Sequence, residues 1–101
     1  LPAMPTAFFC CCDHEAIAVI KVLNILGYKV PGDISIISFD NIDLSNTITP
    51  RLTTLNVHKE FMGAKAVQKL LERINSPEGP KEKILLSAEI IERQSVKNLK
   101  K

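Results

Sequence analysis

The chain has 101 residues, of which 46% are hydrophobic and 24% charged, and its formal net charge is +2 at pH 7. This length supports one modest hydrophobic core and leaves no room for two separate domains. The small charge, without a concentrated basic face, argues against direct binding of nucleic acid. The sequence has no signal-peptide pattern and no apolar run near the roughly 20 residues that span a bilayer.

The first predicted elements are a strand and a helix. Residues 7–12 are apolar at successive positions, which predicts a short strand buried on both faces of a parallel sheet. Asp13 is a suitable N-cap for a helix over residues 13–26, and Gly27 provides its C-terminal stop.

This predicted helix is apolar over most of its surface, because only His14, Lys21 and Asn24 form a narrow polar stripe. One face must cover the sheet. The remaining apolar surface needs a second partner, since soluble monomers rarely expose a large contiguous apolar patch. That partner is either a second subunit, which we favour, or further segments of a larger domain.

Three adjacent cysteines, Cys10, Cys11 and Cys12, end the predicted strand. Successive side chains of a strand point to opposite faces, so an ordinary disulfide framework is not expected. Clustered free thiols are typical of a reducing compartment, which predicts a cytoplasmic protein. The segment from Cys10 to His14 lacks the two-residue spacing with which cysteines wrap zinc, and His58 is the only other histidine, so we predict no metal site.

The next segments predict a βαβ unit and a second helix. A turn leads into a second buried strand over residues 34–39, which should lie parallel to the first through a right-handed crossover. Residues 58–74 carry a one-sided apolar stripe typical of a surface helix. The Pro- and Gly-containing residues 76–80 end that helix, and two short strands at residues 84–86 and 89–93 should follow.

Polar side chains follow both predicted parallel strands. In an open parallel sheet, ligands bind outside the carboxyl ends of the strands. Cys12 and Asp13 lie at the first such end, where the following helix presents its positive terminus. Asp40 and Asn41 lie at the second. The residues alone leave two alternatives open, a ligand site or simple capping and turn roles, and for Asp13 we favour the capping role.

Known catalytic patterns are missing from the sequence. The four glycines are scattered and form no phosphate-binding loop. No serine lies in a nucleophile elbow, and neither histidine has the sequence context of a catalytic triad. We therefore predict no catalytic residue, no cofactor and no enzymatic activity.

Five segments in register carry a recognisable pattern. The strongest is residues 26–41, and the others are residues 5–18, 52–55, 62–74 and 91–95. In this order they resemble the C-terminal part of the effector-sensing domain of LacI/GalR-type transcriptional regulators. The resemblance implies a partial class I periplasmic-binding-protein-like α/β fold, with a parallel βαβ core, a second crossover helix and short C-terminal strands.

The resemblance also implies how one effector-binding domain is divided along the chain. Residues 1–54 would be part of the C-terminal subdomain, and residues 55–80 would form a helix crossing to the N-terminal subdomain. Residues 81–95 would be return strands, and residues 96–101 a tail. The crossover implies hinge residues Leu52, Thr53 and Thr54.

The resemblance further implies a ligand site centred on Asp40, which matches an aspartate that contacts effector in many members of the family. Asp13, Cys12 and Asn41 would lie beside it. Cys12 stands where asparagine is usual, and this removes an amide able both to donate and to accept hydrogen bonds. The implied partner is a small effector of sugar or purine (nucleobase-like) type.

A homodimer interface is implied on the first helix and on the loop after Asp40. Its residues would be Ile17, Val19, Ile20, Leu44 and Ile48. DNA would be bound only through a helix-turn-helix domain that is absent from this sequence, and no membrane partner is implied.

These features together predict effector sensing and dimerisation in a bacterial repressor, with allosteric control of operator binding. One alternative is a periplasmic sugar-binding transport protein of the same fold, against which the free cysteines count. The other is a phosphoacceptor signalling domain, which needs clustered acids around magnesium and a lysine at a later strand end. The sequence offers no suitable lysine there.

Overall fold

The computed structural model describes residues 3–100, so the first two positions and Lys101, at the end of the predicted tail, lie outside the described residues. The regular elements, in chain order, are β1 (Ala7–Phe9), α1 (Asp13–Ile25), β2 (Ser35–Asp40), a 3₁₀ helix (Asp43–Asn46), β3 (Thr53–Asn56), α2 (Lys59–Asn75) and β4 (Glu89–Ile91). Among the described residues, no helix is long and apolar enough to cross a membrane.

The strands form one open, mostly parallel sheet in the order β1-β2-β3-β4. β1, β2 and β3 are parallel, with Ala7 opposite Ser35 and Ile37 opposite Thr53. β4 is antiparallel to β3. The predicted parallel βαβ core is thus confirmed by β1, α1 and β2.

The chain divides into two compact units. One comprises Leu1–Asn56 with Glu89–Lys101, and the other comprises Val57–Ala88. The first unit contains the whole sheet and α1, and the second contains α2 and the irregular segment that follows it.

The core of the first unit lies between α1 and the sheet. α1 contributes Ala16, Ile20 and Leu23, which recur at the spacing of one helical face. Ile36 of β2 and Leu52, just before β3, are fully buried in the same cluster. The buried face therefore uses only part of the apolar surface of α1.

Part of the remaining apolar surface at α1 is exposed. Ile25 is 76% exposed, and Val22 and the C-cap residue Leu26 are also exposed. In the second unit, α2 has no buried residue. The apolar stripe of α2 remains exposed at Phe61, Met62, Val67, Leu70, Leu71 and Ile74.

Three local predictions are wrong. β1 is not buried on both faces, since Phe8 packs against the core while Phe9 is 64% exposed. Neighbouring side chains of a strand point to opposite faces, and the described residues cover only one face here. Residues 84–86 form no strand. Asp13 is not the N-cap, because Cys12 occupies that position and makes no side-chain capping hydrogen bond.

Candidate functional site

The carboxyl ends of β2 and β3 meet at one edge of the sheet, where Asp40 lies opposite Asn56. Asp40 and Asn41 have φ values of 142° and 59°. Residues other than glycine seldom adopt positive φ, and backbone strain of this kind clusters at functional sites. The chain therefore turns sharply where the sequence predicts ligand contacts.

A half-buried polar network holds this edge in place. The Asn41 amide Nδ2 donates to Asn56 Oδ1 at 2.9 Å, and Arg93 Nη2 donates to Asn41 Oδ1 at 2.6 Å. Arg93 Nη1 also donates to the Leu52 carbonyl at 2.9 Å. We call Asp40, Asn41, Asn56 and Arg93 the strand-end cluster. The amides of Asn41 and Asn56 and the guanidinium of Arg93 are fixed by one another.

The sequence predicted Asp40 and Asn41 but missed Asn56 and Arg93. Asn56 lies two residues after the segment interpreted as a hinge, and recognising residues 53–56 as a strand would have placed Asn56 at the same sheet edge as Asp40. Arg93 is 52 residues from Asn41 in the chain, so no local pattern indicates their contact.

Asp13 is fully buried and tied to the protein by three hydrogen bonds. Its Oδ2 accepts from Ser45 Oγ at 2.5 Å and from Ile42 N at 3.0 Å, and its Oδ1 accepts from Thr54 Oγ1 at 2.6 Å. Burial alone raises the pKa of this carboxyl, but the hydrogen bonds outweigh burial and lower the pKa below its usual range. Asp13 has no exposed surface, and its carboxylate joins the start of α1 to β3 and to the segment after β2.

Of the predicted hinge residues, Thr53 and Thr54 lie in β3 and Leu52 lies just before it. Leu52, Thr53 and Thr54 are all buried, and Thr54 Oγ1 also accepts from Asn41 N at 3.3 Å. The boundary between the two compact units falls after Asn56, beyond these residues. The hydrogen bonds that join Thr54 to Asp13 and Asn41 explain why this segment is held in the first unit.

The cysteines have three different environments. Cys10 is buried in the core, and this burial raises its pKa. The exposed Cys11 donates from Sγ to Glu15 Oε2 at 2.9 Å, and this hydrogen bond is the main reason that its pKa rises to about 11. Cys12 is half-buried at the N-cap position of α1. The ligand contact of Cys12 stays a prediction.

The predicted dimer residues do not form a single exposed surface. Ile20 is only 4% exposed, within the core of its own chain. Leu44 is exposed, whereas Ile17, Val19 and Ile48 are partly buried against that core. The sequence indicated the excess apolar surface of α1, but it could not indicate which face turns away from the sheet.

A family model described as periplasmic binding protein-like domain matches residues 1–96. The chain belongs to this family. The predicted α/β fold and the predicted resemblance to LacI/GalR-type regulators are therefore confirmed, the latter by the relatives described next.

Two curated relatives are bacterial repressors. The chain is 44% identical over 99 residues to the "Probable HTH-type transcriptional repressor ExuR" of Bacillus subtilis, covering 98% of the chain and 30% of that protein. It is 43% identical over 95 residues to the HTH-type transcriptional repressor PurR of Pasteurella multocida, covering 94% of the chain and 28% of that protein. The chain thus spans less than a third of the length of these relatives.

A solved structure of a LacI family regulator is also similar to this chain. The LacI family transcriptional regulator from Enterococcus faecalis, crystallised with bound ribose, is 35% identical with a TM-score of 0.86. The match covers 97% of this chain and 37% of that one.

Proposed function

We propose that this chain forms part of the effector-sensing and dimerising domain of a cytoplasmic bacterial transcriptional repressor of LacI/GalR type, and that it has no enzymatic activity. The strand-end cluster is the observation that supports this proposal most directly. It combines strained backbone at Asp40 and Asn41 with fixed polar groups from Asn56 and Arg93. DNA contact would come from a helix-turn-helix segment outside the present sequence.

The chemistry of the cluster suits a sugar effector. Sugar hydroxyls both donate and accept hydrogen bonds, and the cluster offers a carboxylate acceptor, two amides and a guanidinium donor. The ribose bound to the Enterococcus faecalis regulator supports a sugar over a purine. To control repression, the sugar must bind one arrangement of the domain better than another, since equal affinity shifts no equilibrium.

The two alternative functions have less support. The curated relatives are repressors, which does not favour a transport protein. A phosphoacceptor site would need accessible clustered acids, and Asp13 is fully buried with both carboxylate oxygens hydrogen-bonded to the protein.

A chimera tests the effector role. In the Enterococcus faecalis regulator, the segment that matches this chain is replaced by residues 1–96, and binding of a panel of sugars and purines is measured by calorimetry. We expect the chimera to bind a sugar. Asp40→Ala should weaken that binding by about 10- to 100-fold, because a hydrogen bond to a charged group contributes about 1.5–3 kcal/mol.

Asp43→Ala is the matched control, because Asp43 is an exposed carboxylate only three residues further along the chain. It should leave sugar affinity within about twofold of the unsubstituted chimera, in line with other exposed substitutions. A folded chimera that binds only purines, or equal sugar affinity of the two variants, would count against the proposed sugar site.

Dimerisation is tested separately on the exposed apolar surface. Leu44→Asp places a charge on an exposed leucine of the implied interface, and we expect the dimer dissociation constant to rise by at least about tenfold, the equivalent of 1.4 kcal/mol. Sedimentation equilibrium measures this constant. Leu99→Asp, at another exposed leucine far along the chain, should leave it unchanged. If both substitutions changed the dissociation constant equally, Leu44 would not belong to the dimer interface.

A further inference from the structure

Two cysteines and a glutamate come together at the start of α1. The Sγ atoms of Cys11 and Cys12 and a carboxylate oxygen of Glu15 all lie within 4.8 Å of one another. Adjacent cysteines alone lack the spacing of a zinc-binding loop, which is why the sequence predicts no metal site. The structure adds Glu15 as a third ligand, four residues after Cys11 and in the first turn of the helix.

The distances are close to those that a metal ion requires. Zinc binds sulfur at about 2.3 Å and carboxylate oxygen at about 2.0–2.2 Å, so the ligands of a tetrahedral site lie roughly 3.5–3.8 Å apart. Ligand atoms within 4.8 Å therefore need movements of only about 1 Å, which side-chain rotation supplies. Cys12 is the extended N-cap residue of α1 and Glu15 lies in its first turn, and the bond from Ala16 N to Cys12 O at 3.0 Å ties the two segments together.

The cluster is accessible to solvent, and two of its three ligand atoms are already in contact. Cys11 and Glu15 are exposed and Cys12 is half-buried, so an ion can enter from solvent. The Cys11 thiol already points at Glu15, to which it donates at 2.9 Å. A cation would displace the proton from this contact and bind the same two atoms.

We propose that Cys11, Cys12 and Glu15 form a binding site for one thiophilic divalent cation, of which Zn²⁺ is the best match. Two sulfur ligands select against Mg²⁺ and Ca²⁺, which take oxygen ligands. Three protein ligands leave the fourth tetrahedral position of zinc open for water or for another small ligand. This site is additional to the strand-end cluster and does not depend on the proposed effector function.

Cobalt is the spectroscopic probe for the site. Co²⁺ is titrated into the fully reduced protein, and the thiolate-to-cobalt charge-transfer absorption and the tetrahedral d–d bands are recorded. We expect saturation at one Co²⁺ per chain and displacement by Zn²⁺. Cys11→Ser and Cys12→Ser should each remove about half of the charge-transfer intensity, since each removes one of two sulfur ligands, and should weaken Zn²⁺ binding at least about tenfold.

The glutamate has a closely matched control. Glu15→Gln should weaken Zn²⁺ binding by about tenfold or more, whereas Glu60→Gln, in the first turn of α2, should not change it. Cys10→Ala removes a buried thiol outside the cluster and should leave the charge-transfer spectrum unchanged. Circular dichroism of each variant shows that it remains folded.

Three results would overturn the proposal. They are the absence of a charge-transfer band in the folded protein, a band that persists unchanged in Cys11→Ser and Cys12→Ser, and equal loss of affinity in Glu15→Gln and Glu60→Gln. An independent measurement is the midpoint of thermal unfolding, which saturating Zn²⁺ should raise in the parent protein but not in Cys11→Ser, because a ligand stabilises only the state that binds it.

Discussion

Asp13→Asn is expected to lower the free energy of unfolding by about 3 kcal/mol, because each hydrogen bond to a charged group contributes about 1.5–3 kcal/mol. The carboxylate accepts from Ser45, Thr54 and Ile42. Asparagine has the same shape, but its amide NH₂ would face at least one of these three donors. Urea denaturation measures the difference.

The control for this substitution is Asp43→Asn. Asp43 is exposed in the neighbouring 3₁₀ helix, and an exposed substitution of this kind usually changes stability by less than about 0.5 kcal/mol. If the two variants were equally stable, the buried carboxylate would not hold the start of α1 to β3, and the structural role given to Asp13 would be wrong.

The same carboxylate makes stability depend on pH in the acid range. The pKa of Asp13 is lower in the folded protein than in the unfolded chain, where an aspartate has a pKa of about 3.9. Its contribution is therefore complete above about pH 4 to 5 and is lost as pH falls through the folded pKa. The free energy of unfolding of Asp13→Asn should decline less steeply below pH 4 than that of the parent protein.

The elements that the sequence predicted well are those with strong local patterns. The apolar positions of residues 13–26 and Gly27 predicted α1, whose observed end at Ile25 is one residue earlier. Gly27 has a φ of 91°, the left-handed conformation expected just after a helix end. The run at residues 34–39 likewise predicted β2, which is shifted by one residue.

β3 was not predicted as a strand because its stability is not local. Two of its four residues are threonines, whose hydroxyls form hydrogen bonds with residues far away in the sequence. Thr54 donates to Asp13, 41 residues away, and Thr53 accepts from Arg93 N, 40 residues away. A four-residue segment carries too little periodicity to reveal such partners. Only the folded sheet brings them together.

The candidate sites also divide into features with a local sequence pattern and features that depend on distant contacts. Asp40 could be predicted because it ends an obvious strand, and the resemblance implied its role. The contact between Cys11 and Glu15 spans only four residues, yet it was missed because the cysteines were compared with the zinc-binding spacing alone. The buried state of Asp13 depends on the path of the loop after β2, which no residue pattern in that loop predicts.

Ser95→Ala is expected to lower the free energy of unfolding by about 2–3 kcal/mol, because it leaves two buried backbone groups without a side-chain partner. Ser95 is fully buried at the start of the pairing between β2 and β3. Its Oγ donates to the Ile36 carbonyl at 2.5 Å and accepts from Thr53 N at 2.8 Å. The segment after β4 thus joins two parallel strands before their own pairing begins.

Hydrogen exchange tests whether the loss of stability arises at the contact of Ser95 with β2 and β3. In Ser95→Ala the amide of Thr53 should exchange faster than in the parent protein, whereas the Ile36 amide keeps its backbone bond to Ser95 O at 2.8 Å and should be affected less. Ser87→Ala, at an exposed serine, should change stability by less than about 0.5 kcal/mol. A Ser95→Ala protein as stable as Ser87→Ala would mean that the hydroxyl does not stabilise the contact between β2 and β3, and that the segment after β4 is held by its backbone alone.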